Sequence, residues 1–464
     1  MFTTIYLREL QNYLFGLRFH VSFVIIVLVF TVGSIAFVSS NKETQSNYAQ
    51  YRQNEQKELT EQAEKSITTV AIRQRNFVIA PRSNGVVADC KESYLPNEIT
   101  YSAYNVFGFA VRHNTQNPLL SRTESLSWSF IVSMLLSFIT LLFAFDAISG
   151  EKEDHTLALV FTNLVSRRTF LGGKLAGIIT VVGFMALTGI IISLLILTIS
   201  GAVHIDGSYL LETGGFFIIS LLLITVFAVF GLFSSVVTRY SNVSLLVSLC
   251  FWLAVAVVIP NTSVFWAKKL FPIPTAFQVE ATIEEAWQDL EKNGAEGRWS
   301  SSGDLFYPRH ELRANHRTDL MNAEKRHKDA YYQQMFHQFE NTRNFTMISP
   351  IAQFDYINEA FLGGGYLRFR KNWDDLHNFQ PQFLQWFKDI DAKDNESPHW
   401  YNPMEEYSTS KKPVEVDQIP RYQEQLAPFA QRIQFISLYL VTMLVTIAVI
   451  FGACFYFFVK YDVR

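Results

Sequence analysis

Cysteine is scarce, with three in a chain of 464 residues. Cys250 and Cys454 fall in long apolar stretches and Cys90 in a polar one, so neither a disulfide nor a metal framework is expected. No GxxxxGK followed by Ser or Thr occurs, which excludes ATP hydrolysis through a phosphate-binding loop of that type. HExxH, CxxC and GxSxG are absent as well. Basic blocks are missing and the net charge is −3, so no nucleic-acid partner is expected. His113, His310, His316, His327, His337, His377 and His399 lie in polar segments, without an i, i+4 pair or a neighbouring cysteine, and are read as solvated or hydrogen-bonded side chains. The adjacent carboxylates Glu284–Glu285 and Asp374–Asp375 point different ways on a helix and are read as surface.

Charge is also missing where the chain is most apolar. Inside the long apolar stretches, His20 and Asp146 are almost the only ionisable residues, and both sit at an end. A proton- or ion-driven transporter keeps such groups near the membrane midplane, because they are costly in lipid and are retained for work. Their near absence argues against ion coupling and for energy supplied from elsewhere.

What remains is apolar and segregated. The chain is 49% hydrophobic and 17% charged, and its mean hydropathy is slightly positive. Six stretches, residues 19–38, 128–147, 175–199, 214–237, 243–266 and 433–459, are apolar enough to cross a hydrocarbon core, which takes about 20 helical residues. Each is expected to be a helix, since a helix satisfies its own backbone in lipid. The first is longer than the apolar region of a signal peptide and lacks a small-x-small site, so it is read as a span. The expected fold class is mainly α: a polytopic membrane protein with six transmembrane helices and two extracytoplasmic insertions, mostly helical with a few strands.

Orientation follows from the basic residues. If six helices alternate, Arg8, Arg18, Lys152, Arg167, Arg168, Lys174, Arg239, Lys460 and Arg464 all fall on one side. The short loop 201–213 on the other side has no Lys or Arg. The positive-inside rule then puts both termini, the tail 460–464 and the loop 148–174 in the cytoplasm, and segments 39–127 and 267–432 outside. Before the first span, Leu7, Leu10, Leu14 and Leu17 recur at helical spacing, so residues 1–18 are read as an amphipathic helix in the inner interface.

The first outer segment opens with good helix formers and no Pro or Gly, and is expected to continue the first span. "FVIA" and "ITYSAYNVFGFAV" further on are candidate strands. In the second, "TAFQVEATIEEAWQDLEKN" and "NHRTDLMNAEKRHKDAYYQQMFHQFENTR" read as helices, and residues 391–420 as loop. "SPIAQFDYINEAFLGGG" reads as a capped helix, with Ser349 before Pro350 and glycines after the end.

The charged stretch between the second and third spans is "SGEKEDHTLALVFTNLVSRRTFLGGK". Physically it reads as a short helix along the membrane, anchored by Leu157, Leu159 and Phe161, with charged ends for a soluble partner; a plain charged loop is the alternative. Gly173 and Gly177 are spaced for close helix contact. "ISGEKEDHTLALVFTNLVSRRTFLGGK" also resembles the signature of ABC-2-type permeases, the membrane subunits of ATP-driven exporters, in the branch with large extracytoplasmic insertions. It matches at Ser149, Gly150, Glu151, Lys152, Glu153, Thr156, Val165, Ser166, Arg167, Gly173 and Lys174. It departs at His155, where Gly is usual, and at Leu164, where Pro is usual. The N-terminal helix, the tight turn within "GLFSSVVTRYSNVSLLVSLCFWL" and the segment around "ISPIAQFDYINEAFLGGG" are similar to the family too.

The resemblance implies a coupling helix that sits in a groove of a separate ATPase subunit, present in two copies. It implies a permease dimer, with itself or a related chain, in the bacterial inner membrane. Gly150, Glu151, Lys152, Glu153, Thr156, Leu157, Leu159, Ser166, Arg167, Arg168 and Lys174 are the implied ATPase-coupling residues. Among them Glu151, Lys152 and Glu153 would orient the loop, Leu157 and Leu159 would pack on the ATPase or the membrane, and Arg167 and Arg168 would contact the ATPase or lipid phosphates. No cofactor is expected in this chain; ATP and Mg would belong to the partner subunit. The size of the outer segments suggests a contact with substrate or with a periplasmic or outer-membrane partner. A membrane receptor or scaffold is the alternative class, against which stands the lack of a cytoplasmic output domain. A membrane-embedded enzyme would need a polar catalytic set that the spans lack.

Overall fold

The computed structural model describes residues 1–89, 95–112, 126–162, 165–293 and 307–461. Among them, six helices are long and apolar enough to cross a membrane, so the chain is a mainly α, multi-pass membrane protein. Cys90, His113, Leu164 and Arg464 lie outside the described residues.

The short helix α1 (Phe2–Phe15) leads into α2 (Leu17–Lys65), whose apolar first half continues without a break into a polar second half. At about 1.5 Å per residue α2 is far longer than a bilayer core needs. Ser66 ends it and caps α3 (Ile67–Ile72), its Oγ accepting from Thr69 N at 3.1 Å. Strands β1 (Arg75–Val78), β2 (Glu98–Tyr101) and β3 (Val106–Ala110) form an antiparallel sheet in that order. The first candidate strand thus overlaps β1 only at Phe77 and Val78. The second is split by a turn in which Ser102 Oγ accepts from Tyr104 N at 3.1 Å.

The second span comprises α4 (Trp128–Phe130), a π-helical stretch Ile131–Leu136, α5 (Ser137–Ala144) and, past a turn, α6 (Ser149–Glu153). Then come α7 (Thr156–Phe161), the third span α8 (Arg167–Ser200) and the fourth span α9 (Gly207–Val237). The fifth span is α10 (Ser241–Leu253), a π-helical stretch Ala254–Val258 and α11 (Ile259–Leu270). Helices α12 (Ala276–Asn293), α13 (Tyr307–Thr346), α14 (Pro350–Phe361) and α15 (Gly365–Asp391) precede the last span, α16 (Phe429–Lys460).

Two apolar cores result. In the bundle, Phe30, Trp128, Phe216, Phe227 and Phe458 are buried. Trp128 Nε1 donates to Ser193 Oγ at 2.7 Å, and Ser193 pairs with Ser34 at 2.5 Å, so the first three spans share one polar contact. Gly189 lets the Phe30 ring approach; a Cβ there would lie 2.4 Å from Phe30 Cδ2. Spans four and five are zipped by Ser234, whose Oγ lies 3.0 Å from Ser244 Oγ and 2.7 Å from Ser248 Oγ.

The second core lies in a polar body built from the end of α2, α3, the sheet, α13, α15 and the segment after α15. Trp373 is its centre, with the rings of Tyr332 and Phe109 at 4.9 and 5.3 Å. Residues 391–420 are irregular apart from one turn of 3-10 helix, and Asp391 fastens them by accepting from Ser397 Oγ, Ser410 N and His399 Nδ1.

Helix α14 is the exception to this division. Its cap is the one the sequence suggests, with Ser349 Oγ accepting from Ala352 N. Its apolar face, however, joins the core of the bundle: Ile351, Phe354, Ile357 and Ala360 are each at most 2% exposed. Trp373→Ala is expected to lower the stability of the polar body by about 3–5 kcal/mol, the usual loss for a large buried aromatic. Calorimetry of the full chain in detergent should show this as a lowered transition, and an unchanged profile would contradict the placement.

Candidate functional site

The stretch from Ser149 to Lys174, between spans two and three, touches the ends of spans four, five and six and the helix α1. Its first half is set by α6. Ile148 N and Ser149 N both donate to Ser235 Oγ at 2.9 and 2.8 Å, which pins the start of α6 to the end of α9. Gly150 is not forced by crowding, since a Cβ there would meet its neighbours at 3.9 Å.

The next three residues each answer a different helix end. Lys152 Nζ donates to the carbonyls of Ser235, Val236 and Thr238 at 3.1, 2.5 and 2.8 Å. These belong to the last turn of α9, where carbonyls have no partner within the helix and the dipole favours a cation. Glu153 accepts from Ser241 N at 3.0 Å and Ser241 Oγ at 2.8 Å, so a carboxylate sits at the N-terminus of α10, where the dipole favours an anion. Glu151 pairs with Lys174 Nζ at 2.7 Å. Lys174 is 3% exposed and pairs also with Glu9 of α1 at 2.9 Å. One buried ammonium therefore joins α1, α6 and α8.

The glycines at the base of α8 make that junction close. A Cβ on Gly173 would lie 2.8 Å from Ile5 Cγ2, and one on Gly177 would lie 3.2 Å from Glu9 Cβ. Their spacing serves an intramolecular seat for α1. The leucine stripe of α1 divides accordingly: Leu7 and Leu17, just past the helix, are exposed, while Leu10 packs against the bundle.

Between α6 and α7 the chain turns at His155, whose φ of +54° is left-handed. Glycine enters this region without strain, whereas a side chain there costs about 1–2 kcal/mol. The departure from the family pattern thus keeps the turn and carries its strain. In α7, Leu157 is buried and Leu159 is 66% exposed. Asp154, His155, Thr156 and Ala158 are exposed beside Leu159. Phe161 packs on Phe170 and Phe458 with centroids at 5.4 and 5.9 Å.

Ser166 caps α8, its Oγ accepting from Thr169 N at 3.2 Å. Arg167 turns inward and donates to the carbonyls of Phe458, Val459 (2.8 Å) and Tyr461 (3.1 Å) at the end of α16. Arg168 is exposed, its guanidinium 5.3 Å from the centre of the Phe455 ring. Sequence reasoning missed Glu9, Arg18, Ser235 and Ser241 as parts of this site. Arg18 pairs with Asp146 at 2.5 Å and ties the first span to the second.

In the polar body an open cleft of about 330 Å³ is lined by Asp329, Gln333, Trp373, Asp374, His377 and Asn378. Burial pushes the Asp374 carboxyl upward, against the pull of Arg370. His377 Nε2 lies 3.4 Å from Asp329 Oδ1. Among the described residues, no group of three or more His, Cys, Asp or Glu side chains is placed to hold a metal.

Six helices long and apolar enough to cross a membrane, tied together by one charged loop, define a polytopic membrane protein. The sequence profile of the ABC-2 family transporter proteins matches residues 3–463, and the chain belongs to that family. It is accordingly a permease of an ABC transporter and not itself the ATPase; an ABC ATPase partner goes with the family. A search among curated proteins gives no match. Replacing Lys152 by Met leaves the last carbonyls of α9 without their charged donor, and each such bond is worth about 1.5–3 kcal/mol. Lys152→Met is expected to lower the melting temperature of the purified chain, whereas His155→Gly should leave it equal or higher.

Proposed function

We propose that this chain is the permease subunit of an ATP-driven exporter, and that residues 148–174 are its coupling loop. Two copies of a separate ATPase, which bind ATP and Mg, dock on α7 of this chain and of a second permease, the same or related. The loop end of the bundle and both termini face the cytoplasm from the inner membrane, and the polar body lies outside. ATP-driven closure of the ATPases moves the loop, and the spans follow because each of them is held to it or to its immediate neighbours. The movement exports a substrate or displaces the outer body, which contacts that substrate or a periplasmic partner.

The observation that carries this reading is a division of labour within the loop. Lys152, Glu153 and Arg167 are turned to helix ends of the same chain, and Lys174 is paired with Glu151 and with Glu9 of α1. Asp154, His155, Thr156, Ala158 and Leu159 are left on the surface of a short helix seated by Leu157. A rigid frame with an exposed apolar knob suits docking into a groove, where buried apolar anchors dominate the binding energy.

Leu159→Asp tests the proposal, because the Leu159 side chain is exposed. Affinity capture of the tagged chain in mild detergent should recover an ATPase with the wild type. The variant should lose at least about tenfold of that recovery, the size expected for removing an interface anchor, with its melting temperature unchanged. Capture of no ATPase by the wild type, or equal capture by the variant, would contradict the docking role.

A further inference from the structure

Helix α14 occupies a position that the coupling loop does not explain. It packs between α9 and α16, with the Phe354 ring 6.0 Å from Phe216 and the Tyr356 ring 5.5 Å from Tyr439. Gly215 of α9 makes room for its last turn, since a Cβ there would lie 2.2 Å from Phe361 Cζ. At its start, the fully buried Ser349 donates to Val255 O at 2.6 Å, inside the π-helical stretch of the fifth span. Such stretches free backbone groups from the regular ladder and recur at functional positions. On another face, Asp355 accepts from Ser129 at the head of the second span at 3.2 Å. Four spans therefore touch one short helix.

The same helix is fixed to the polar body by a buried charge. Glu359 accepts two bonds from Arg343 Nη1 of α13, at 2.9 and 3.0 Å, and one from Tyr366 N of α15 at 2.5 Å. Both partners of the ion pair are less than a tenth exposed. Gly365, at φ +59°, brings the start of α15 so close that a Cβ there would lie 2.2 Å from Glu359 Cγ. Arg82, between β1 and β2, donates to Leu362 O just past the end of α14. The Arg343 guanidinium also lies 4.0 Å from the centre of the Tyr356 ring of α14. Apolar residues of similar volume often replace a buried ion pair without loss of stability. A buried pair that joins α13 to α14 and to the start of α15 fits register and transmission better than it fits stability.

We propose that α14 is a second coupling helix, at the end of the bundle opposite the signature loop, which passes movement of spans two, four, five and six to the polar body, with Arg343–Glu359 as its pin. The proposal rests on the permease reading above for the source of the movement.

The test is hydrogen exchange of the native complex, captured through the tagged chain, with and without a non-hydrolysable ATP analogue. In the wild type the nucleotide should change exchange both at α7 and α10 and at α13 and α15. The double variant Arg343→Met/Glu359→Met removes the pin without leaving a buried charge. It should keep the change at α7 and α10 and lose at least half of that at α13 and α15. Ser349→Ala, which cuts the hook on the fifth span and buries no charge, should act in the same direction if the double variant does not fold. A wild-type change confined to α7 and α10, or an undiminished change at α13 and α15 in the variants, would overturn the role of α14 alone. No nucleotide-dependent change anywhere would overturn it together with the permease reading.

Discussion

A helix that ends near lipid leaves carbonyls or amides with little water to serve them, and most of this molecule is arranged around that constraint. The signature loop supplies what the ends lack, with the sign each end requires. Lys152 serves the carbonyl end of α9, Glu153 the amide end of α10, and Arg167 the carbonyl end of α16. Lys174 then gathers two carboxylates, Glu9 and Glu151, onto one buried charge. Because these groups are committed to helix ends, displacing the loop would disturb several spans together. A charged loop that only faced water would have no such hold on them.

The opposite end of the bundle uses the same physics with arginine. Arg82 and Arg432 donate to the carbonyls of Leu362 and Phe361 at the end of α14, and Arg432 also donates to Ala427 O at 2.8 Å. Here the helix being served is not a span, yet it is buried among spans. Gly363 and Gly365 adopt positive φ between α14 and α15, which lets the chain leave the bundle and enter the polar body within a few residues. The two helix-serving clusters lie at opposite ends of the same spans, and α9 and α16 take part in both.

Much of this architecture was legible because its signals are local. Length and apolarity announce a span whatever it packs against, and the unbroken run of helix formers after Asn41 announces the extension of α2. The glycine pair at Gly173 and Gly177 announced a close helix contact, but not that the partner would be α1 of the same chain. For α14 the cap and the periodicity were readable, while its place was not. Ile351, Phe354 and Ile357 declare only that one face is apolar, and a polar body and a bundle core satisfy that equally well. The roles of Glu9, Ser235 and Ser241 were invisible for a related reason: each is an ordinary residue until a partner far along the chain is brought to it.

The same distinction bears on what the signature itself means. Ser149–Glu153, the start of the matched pattern, is fixed by contacts inside this chain. On the proposed docking, a partner subunit meets only what those contacts leave outside. The described residues exposed on this loop are Glu153, Asp154, His155, Thr156, Ala158, Leu159 and Thr162, followed by Ser166 and Arg168. Of these, Glu153, Thr156 and Ser166 match the family pattern and the others do not. Ser166 is occupied by the cap of α8, and Thr156 Oγ1 reaches back to Glu151 O at 3.4 Å. The matched residues of this loop are therefore mostly ones held by contacts within the chain.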